Sequence, residues 1–116
     1  MTAARRALGA RGEDRAAAWY VAQGYEVLAR NWRCREGEID LICAKDRRVV
    51  ICEVKTRASA AFGHPAEAVT PAKARRLRVL ATRWLADGDP PFRPAEIRFD
   101  VAAILAGELE VIEAAF

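Results

Sequence analysis

The sequence predicts an α/β layered domain, a mixed sheet flanked by helices in the order α-β-β-β-α-β-β. Three observations carry this. An alanine- and arginine-rich stretch ends at Gly24; two apolar runs flank the basic turn Lys45-Asp46-Arg47-Arg48; and Thr70-Pro71 opens a second helix ahead of two closing strands. A strand, a helix and a further strand in succession make a crossover, which adds a parallel pair to an otherwise antiparallel hairpin.

The first helix is expected from about Ala4 to Gln23, with Gly24 as its stop. Glu13, Ala16, Ala17, Tyr20 and Val21 fall on one stripe at helical spacing. Glu13 on that stripe is either a helix-end charge reaching solvent or an acid aimed at a site. The run from Tyr25 to about Trp32 alternates as a first strand. Strands two and three are the hairpin. The stretch from Arg57 to Val69, with Phe62-Gly63-His64-Pro65 at its centre, reads as a long mobile loop. His64 is the only histidine of the chain, and a lone loop histidine is ordinarily just solvated.

Thr70 supplies an N-cap hydroxyl and Pro71 the first helical position of the second helix, which runs to about Asp87 before Gly88. Lys73, Leu77, Leu80, Ala81, Trp84 and Leu85 share its apolar stripe, while Arg75, Arg76, Arg78 and Arg83 occupy much of the rest. That arginine face is either a solvated surface or one that tracks phosphates. Asp89-Pro90-Pro91 is a turn that blocks continuation of the helix. Glu96 to about Leu105 and Glu108 to about Ala114 then close the sheet, joined at Ala106-Gly107. Asp100 interrupts an apolar strand and is expected to pair with Arg98 or a neighbouring strand, or to support a site from behind.

A chain of 116 residues, 53% hydrophobic and 30% charged, fits one globular domain over residues 1–116. No apolar run approaches the roughly 20 residues that span a bilayer, and the start Met-Thr-Ala-Ala-Arg-Arg lacks the apolar core of a secretion signal. A cytoplasmic address without membrane contact is the expectation. Cys34, Cys43 and Cys52 lack metal-ligand spacing and read as free thiols, two of them filling strands. A net charge of +3 supports nucleic-acid binding only weakly, so the placement of charge matters more. Only Lys45, Lys55 and Lys73 are lysines among nineteen basic residues, which singles out the two that lie outside the turn.

The chemistry concentrates in Gly37-Glu38-Ile39-Asp40-Leu41-Ile42 and Cys52-Glu53-Val54-Lys55-Thr56. A symmetric loop centred between Asp46 and Arg47 pairs residues whose numbers sum to 93, so Asp40 faces Glu53 and Glu38 faces Lys55. Opposed residues share a face, with Cβ atoms roughly 5 Å apart, and alternation adds Lys55 beside Glu53. Two like charges that close repel unless one acid is protonated or a hard cation lies between them. The cation is favoured: Asp40 and Glu53 would hold Mg²⁺ or Mn²⁺, Glu13 would complete the shell, and Lys55 would orient a water or face a phosphate. The bland alternative is a Glu38–Lys55 ion pair with Asp40 satisfied by backbone or an arginine. Glu13 and Lys73, each inward on its helix, are expected at the same end of the sheet.

Gly12-Glu13, Gly24-Tyr25, Asn31, Gly37–Ile42, Glu53-Val54-Lys55-Thr56-Arg57, Lys73 and Arg98-Phe99-Asp100-Val101 together resemble the YraN-like family of small bacterial proteins. That family is similar in fold to the PD-(D/E)XK nucleases, a restriction-endonuclease-like architecture that includes archaeal Holliday-junction resolvases. The resemblance implies that Asp40 is the motif aspartate, Glu53 its second acid, Lys55 its lysine and Glu13 the helix acid, with Ile39 where proline is common. It also implies a metal-dependent endonuclease acting on DNA, branched or single-stranded, in repair, recombination or DNA uptake. The alternative is a non-catalytic nucleic-acid-binding module of the same fold. Arg57, Lys73, Arg76 and Arg83 are the candidate nucleic-acid contacts, and a homodimer is expected if the substrate is a four-way junction, which needs two active sites.

Overall fold

The computed structural model describes residues 2–88 and 90–116. Helix α1 (Ala3–Ala22) is followed by strands β1 (Glu26–Cys34), β2 (Gly37–Lys45) and β3 (Arg48–Arg57). Helix α2 (Pro71–Asp87) crosses over to β4 (Glu96–Leu105), and β5 (Glu108–Ile112) closes the chain. The sheet order is β1-β2-β3-β4-β5, with β3 and β4 parallel and the other neighbours antiparallel. The predicted order and the mixed sheet are both observed.

Local chemistry sets the element ends. Thr2 caps α1 by accepting from the Arg5 N–H at 3.2 Å, and Thr70 caps α2 by accepting from the Lys73 N–H at 3.3 Å with Pro71 at the first turn. The β2–β3 and β4–β5 connections are two-residue turns, with Asp46 at φ 55° in one and Ala106 and Gly107 at φ 50° and 83° in the other. Positive φ at tight turns matches the right-handed twist of the strands they join. Asp89, expected in the turn after α2, lies outside the described residues.

The core has two layers. On one face of the sheet α1 places Ala16, Ala17 and Tyr20 against Leu41, Cys43, Val50 and Cys52. On the other, α2 places Leu77, Leu80, Ala81 and Trp84 against Ile42, Val49, Ile51 and Phe99. Two stripe residues fall outside this packing. Val21 is 57% exposed, because Gly12 and Ala16 turn the buried face of α1 away from it. Leu85 is 37% exposed, at the edge of the α2 stripe.

The expected loop between Arg57 and Val69 contains two 3-10 turns, Ala60–Phe62 and Pro65–Ala68. His64 Nδ1 caps the second, accepting from the Ala66 N–H at 3.1 Å, and Pro65 is buried beneath it. Asp100 is fully buried and takes the structural part of its expected roles. It accepts two hydrogen bonds from Arg98, each 2.8 Å, one from the Tyr20 hydroxyl at 2.6 Å and one from the Ala114 N–H at 3.0 Å. That carboxylate ties α1, β4 and the C-terminal segment together, and its hydrogen bonds raise the Arg98 guanidinium further above its ordinary range. Cys43 and Cys52 are buried free thiols, and burial pushes the Cys43 thiol up to about 12.

Candidate active site

The hairpin register is the one counted from the turn: Lys45 faces Arg48, Ala44 faces Val49, and the ladder continues to Leu41 opposite Cys52. Asp40 and Glu53 come next, where the ladder stops. Ile39 packs with the α2 layer although Leu41 and Cys43 pack with the α1 layer, so alternation along β2 breaks at Asp40. The cause lies across the sheet. Asn31, flanked by the pairs Arg30–Leu41 and Trp32–Ile39, has φ 53° and kinks β1 opposite Asp40.

Freed from the ladder, Asp40 turns its side chain toward β3, where Oδ2 accepts from the Val54 N–H at 2.9 Å. The carboxylate thus replaces a main-chain acceptor at the point where the strands part. Glu53 stands against it. Burial first, then the hydrogen bond and charge of Asp40, push the Glu53 carboxyl up to about 8, while Lys55 and Lys73 pull the other way. Glu53 therefore keeps its proton at neutral pH.

Lys55 is released from the bland pairing. Glu38 forms its ion pair with Arg33 on β1, at 3.1 Å, rather than with Lys55. Lys73, in the first turn of α2, lies against Lys55; that contact, with partial burial, holds its ammonium below the ordinary lysine range. Both lysines act electrostatically on Glu53, so α2 delivers its inward lysine to the acid pair as expected.

Glu13 arrives from the other layer. Gly12 makes this possible, because a Cβ there would overlap Thr56 Oγ1 and press on Ile104 Cδ1 at 3.1 Å. The close approach of α1 to β3 lays Glu13 over the hairpin end. Burial and then the Asp40 charge raise its carboxyl above the ordinary range, against a hydrogen bond from Asn31, and Oε2 is buried without a partner. Asn31 is thus a site residue that strand periodicity overlooks, and its signal is an asparagine inside a strand, a residue type prone to positive φ.

A cavity of about 540 Å³ opens here, lined among others by Glu13, Asp40, Lys55, Thr56, Arg57 and Ser59. A second recess of about 510 Å³ lies between Leu85, Phe92 and Ile97, with Arg93 the one charged residue lining it among the described residues. Of the two, the first gathers acids with a lysine: Glu13, Asp40 and Lys55. Among the described residues no three His, Cys, Asp or Glu side chains are gathered as a ready metal shell. Asp40 and Glu53 nevertheless offer hard oxygens, and the unpartnered Glu13 Oε2 is a third donor of the kind Mg²⁺ or Mn²⁺ takes.

The arginines divide. Arg57 lines the cavity, with Nε buried and without a partner. Arg76 is exposed on α2 beside Gly37. Arg83, ten residues and about 15 Å along the helix from Lys73, is bound to Glu36 at 2.7 Å and Asp87 at 3.1 Å. Arg78 lies over the Phe99 ring at 4.7 Å. The structure brings Glu13, Asp40, Glu53, Lys55, Arg57 and Lys73 to one end of the sheet and leaves Arg83 apart from them. No helix among the described residues is long and apolar enough to cross a membrane.

Residues 12–104, which contain all of these acids and lysines, match the model of the uncharacterised protein family UPF0102. A UPF0102 protein of Beutenbergia cavernae is 54% identical over 102 residues, covering 88% of this chain and 85% of its own. One from Clavibacter michiganensis is 52% identical over 98 residues, covering 84% and 81%, and one from Parafrankia is 53% identical over 97 residues, covering 84% and 80%. With the YraN-like motifs lying inside the matched segment, and identity above one half across most of each chain, the protein belongs to the UPF0102 family.

Proposed function

We propose that the protein is a metal-dependent endonuclease that hydrolyses phosphodiester bonds in DNA, in repair, recombination or DNA uptake. The observation that supports this most is the Asp40–Glu53 pair itself. A carboxyl pushed up to about 8, by burial first and then by a neighbouring acid, is costly to a fold. Asp40 and Glu53, with Glu13, would hold Mg²⁺ or Mn²⁺, which when bound supplies charge for the phosphate and a more acidic water.

The chain's own residues take the remaining tasks. The Val54 N–H fixes one Asp40 oxygen and so orients the other. Lys55 bears no ion pair to Glu38, and its ammonium is available to a phosphate oxygen or a water. Lys73, beside it, adds positive charge against the acids, and Arg57 at the cavity wall faces a phosphate of the strand. Asn31 holds Glu13 in place. A non-catalytic nucleic-acid-binding module is the second reading. It is favoured by the Asp40–Val54 bond, which gives Asp40 a structural task of its own.

The two readings part in one assay. Duplex, single-stranded, flap and four-way-junction DNA are incubated with Mg²⁺ or Mn²⁺ and the wild type, Asp40→Asn or Lys55→Ala. Cleavage by the wild type that both variants lose, with binding kept in Asp40→Asn, supports hydrolysis. No cleavage by the wild type, or equal cleavage by the variants, sinks it.

A further inference from the structure

Two glycines three residues apart in α1 differ in what they touch. Gly12 is required by packing, as a Cβ there would strike Thr56. At Gly9 a Cβ would meet nothing within 4 Å. A glycine inside a helix weakens it relative to alanine, so Gly9 costs helix stability with no packing reason for it. Its backbone lines the same cavity as Glu13 and Asp40, together with the adjoining Leu8 and with Arg5 one turn away. These three residues precede the segment shared with the family model. The N-terminal half of α1 therefore forms one wall of the recess, and Lys55, Arg57 and Ser59 belong to the other.

The chemistry of the walls is that of a polynucleotide strand. Arg5, Lys55 and Arg57 supply cations for phosphates, and Leu8 and Val54 supply apolar surface for a base or sugar. Arg5 makes no ion pair to an acid among the described residues, so its charge is uncommitted. A volume of about 540 Å³ lies within the range of small-ligand sites, about 300–1,000 Å³. It has room for a nucleotide or two and none for a base pair with its flanking backbones.

We infer that this recess is a subsite for one unpaired nucleic-acid strand, which passes across the bare backbone at Gly9, with Arg5 as a specificity-determining phosphate contact. The inference rests on the hydrolytic reading for the direction of the strand toward Asp40 and Glu53, but its binding step stands without turnover.

The test measures anisotropy of a labelled oligothymidylate and of a blunt duplex of equal length, in Ca²⁺, for the wild type, Gly9→Leu and Arg5→Gln, with thermal melts of each protein. The wild type is expected to prefer the single strand. Gly9→Leu should melt no lower than the wild type, since leucine favours helix, yet bind the strand about tenfold or more weakly, because a side chain now fills the recess. Arg5→Gln should lower the slope of log affinity against log salt by about 0.7, the contribution of one single-strand phosphate. Unchanged strand affinity in Gly9→Leu, an unchanged salt slope in Arg5→Gln, or equal losses for strand and duplex would each overturn the subsite. Parallel incubation in Mn²⁺ separates the two ideas. Absence of cleavage with these binding differences intact removes hydrolysis alone, whereas cleavage with Gly9→Leu binding like the wild type removes the subsite alone.

Discussion

Asp40 Oδ2 accepts the Val54 N–H at 2.9 Å, so a side chain closes the gap left where β2 and β3 part. The bond holds the carboxylate against Glu53, and Asp40 supplies the second and third causes of the raised Glu53 pKa after burial. Asp40→Asn keeps an amide oxygen for Val54 and removes the charge. The Glu53 carboxyl should then titrate below about 8, though still above its ordinary value, since burial remains. Carboxyl-carbon NMR of the two proteins reads this directly. An unchanged Glu53 midpoint would mean that the two acids are not in contact.

The same raised carboxyl makes stability fall with pH when divalent cations are chelated. Below the ordinary value of about 4.5, Glu53 is protonated in both folded and unfolded chains. Between about 4.5 and about 8 the folded chain holds a proton that the unfolded chain has released, so stability drops as pH rises through that window and levels off above it. Glu53→Gln should remove this contribution and be the more stable protein at pH 9. Urea midpoints for both proteins across pH 5 to pH 9 check the sign. A gap that closes or reverses toward pH 9 would contradict the buried-acid assignment.

Where turn chemistry and capping decide the structure, the sequence is readable residue by residue. Asp46-Arg47 between two apolar runs sets the pairing whose numbers sum to 93, and Thr70-Pro71 starts α2. Glu13, Asp40, Glu53, Lys55 and Lys73 could be placed together from that register and two helical stripes. Features that depend on a third strand or on main-chain conformation were out of reach. Glu38 finds Arg33 because β1 and β2 pair across the Arg35-Glu36 turn, a contact that the β2–β3 hairpin does not contain. The break in alternation at Asp40 follows from a positive φ at Asn31, which period-two counting cannot register. Arg83 looks like a phosphate contact by composition alone, but Glu36 comes within reach only after folding, beside Asp87 one turn along the same helix.

Gly12 and Gly9 should respond oppositely to alanine. At Gly12 the new methyl would overlap Thr56 Oγ1 and crowd Ile104, forcing α1 away from β3, at a cost of about 1–3 kcal/mol. At Gly9 the methyl meets open space, and alanine should stabilise by about 0.5–1 kcal/mol. Denaturant midpoints at unchanged m-value measure both. Moving α1 also lifts Glu13 from Asp40, so Gly12→Ala should lower the Glu13 carboxyl midpoint, as both of its leading causes weaken. Equal effects at the two glycines would contradict the close packing of α1 on β3.

Asp100 is fully buried and does a different job from the acid pair, and its variants should separate folding from function. Its carboxylate is fully buried and neutralised by Arg98, which is itself mostly buried. Asp100→Ala strands that guanidinium and the Tyr20 hydroxyl, and removing one partner of a buried pair costs about 3–5 kcal/mol. Tyr20→Phe removes a single donor and leaves the carboxylate with Arg98 and the Ala114 N–H, so a smaller loss, about 1–2 kcal/mol, is expected. Both variants should keep the Glu53 midpoint wherever they remain folded, because Asp100 is not among the causes of its shift. Chemical denaturation paired with the Glu53 titration checks this. A Glu53 midpoint that moves in folded Tyr20→Phe would show that the Asp100 network reaches the acid pair after all.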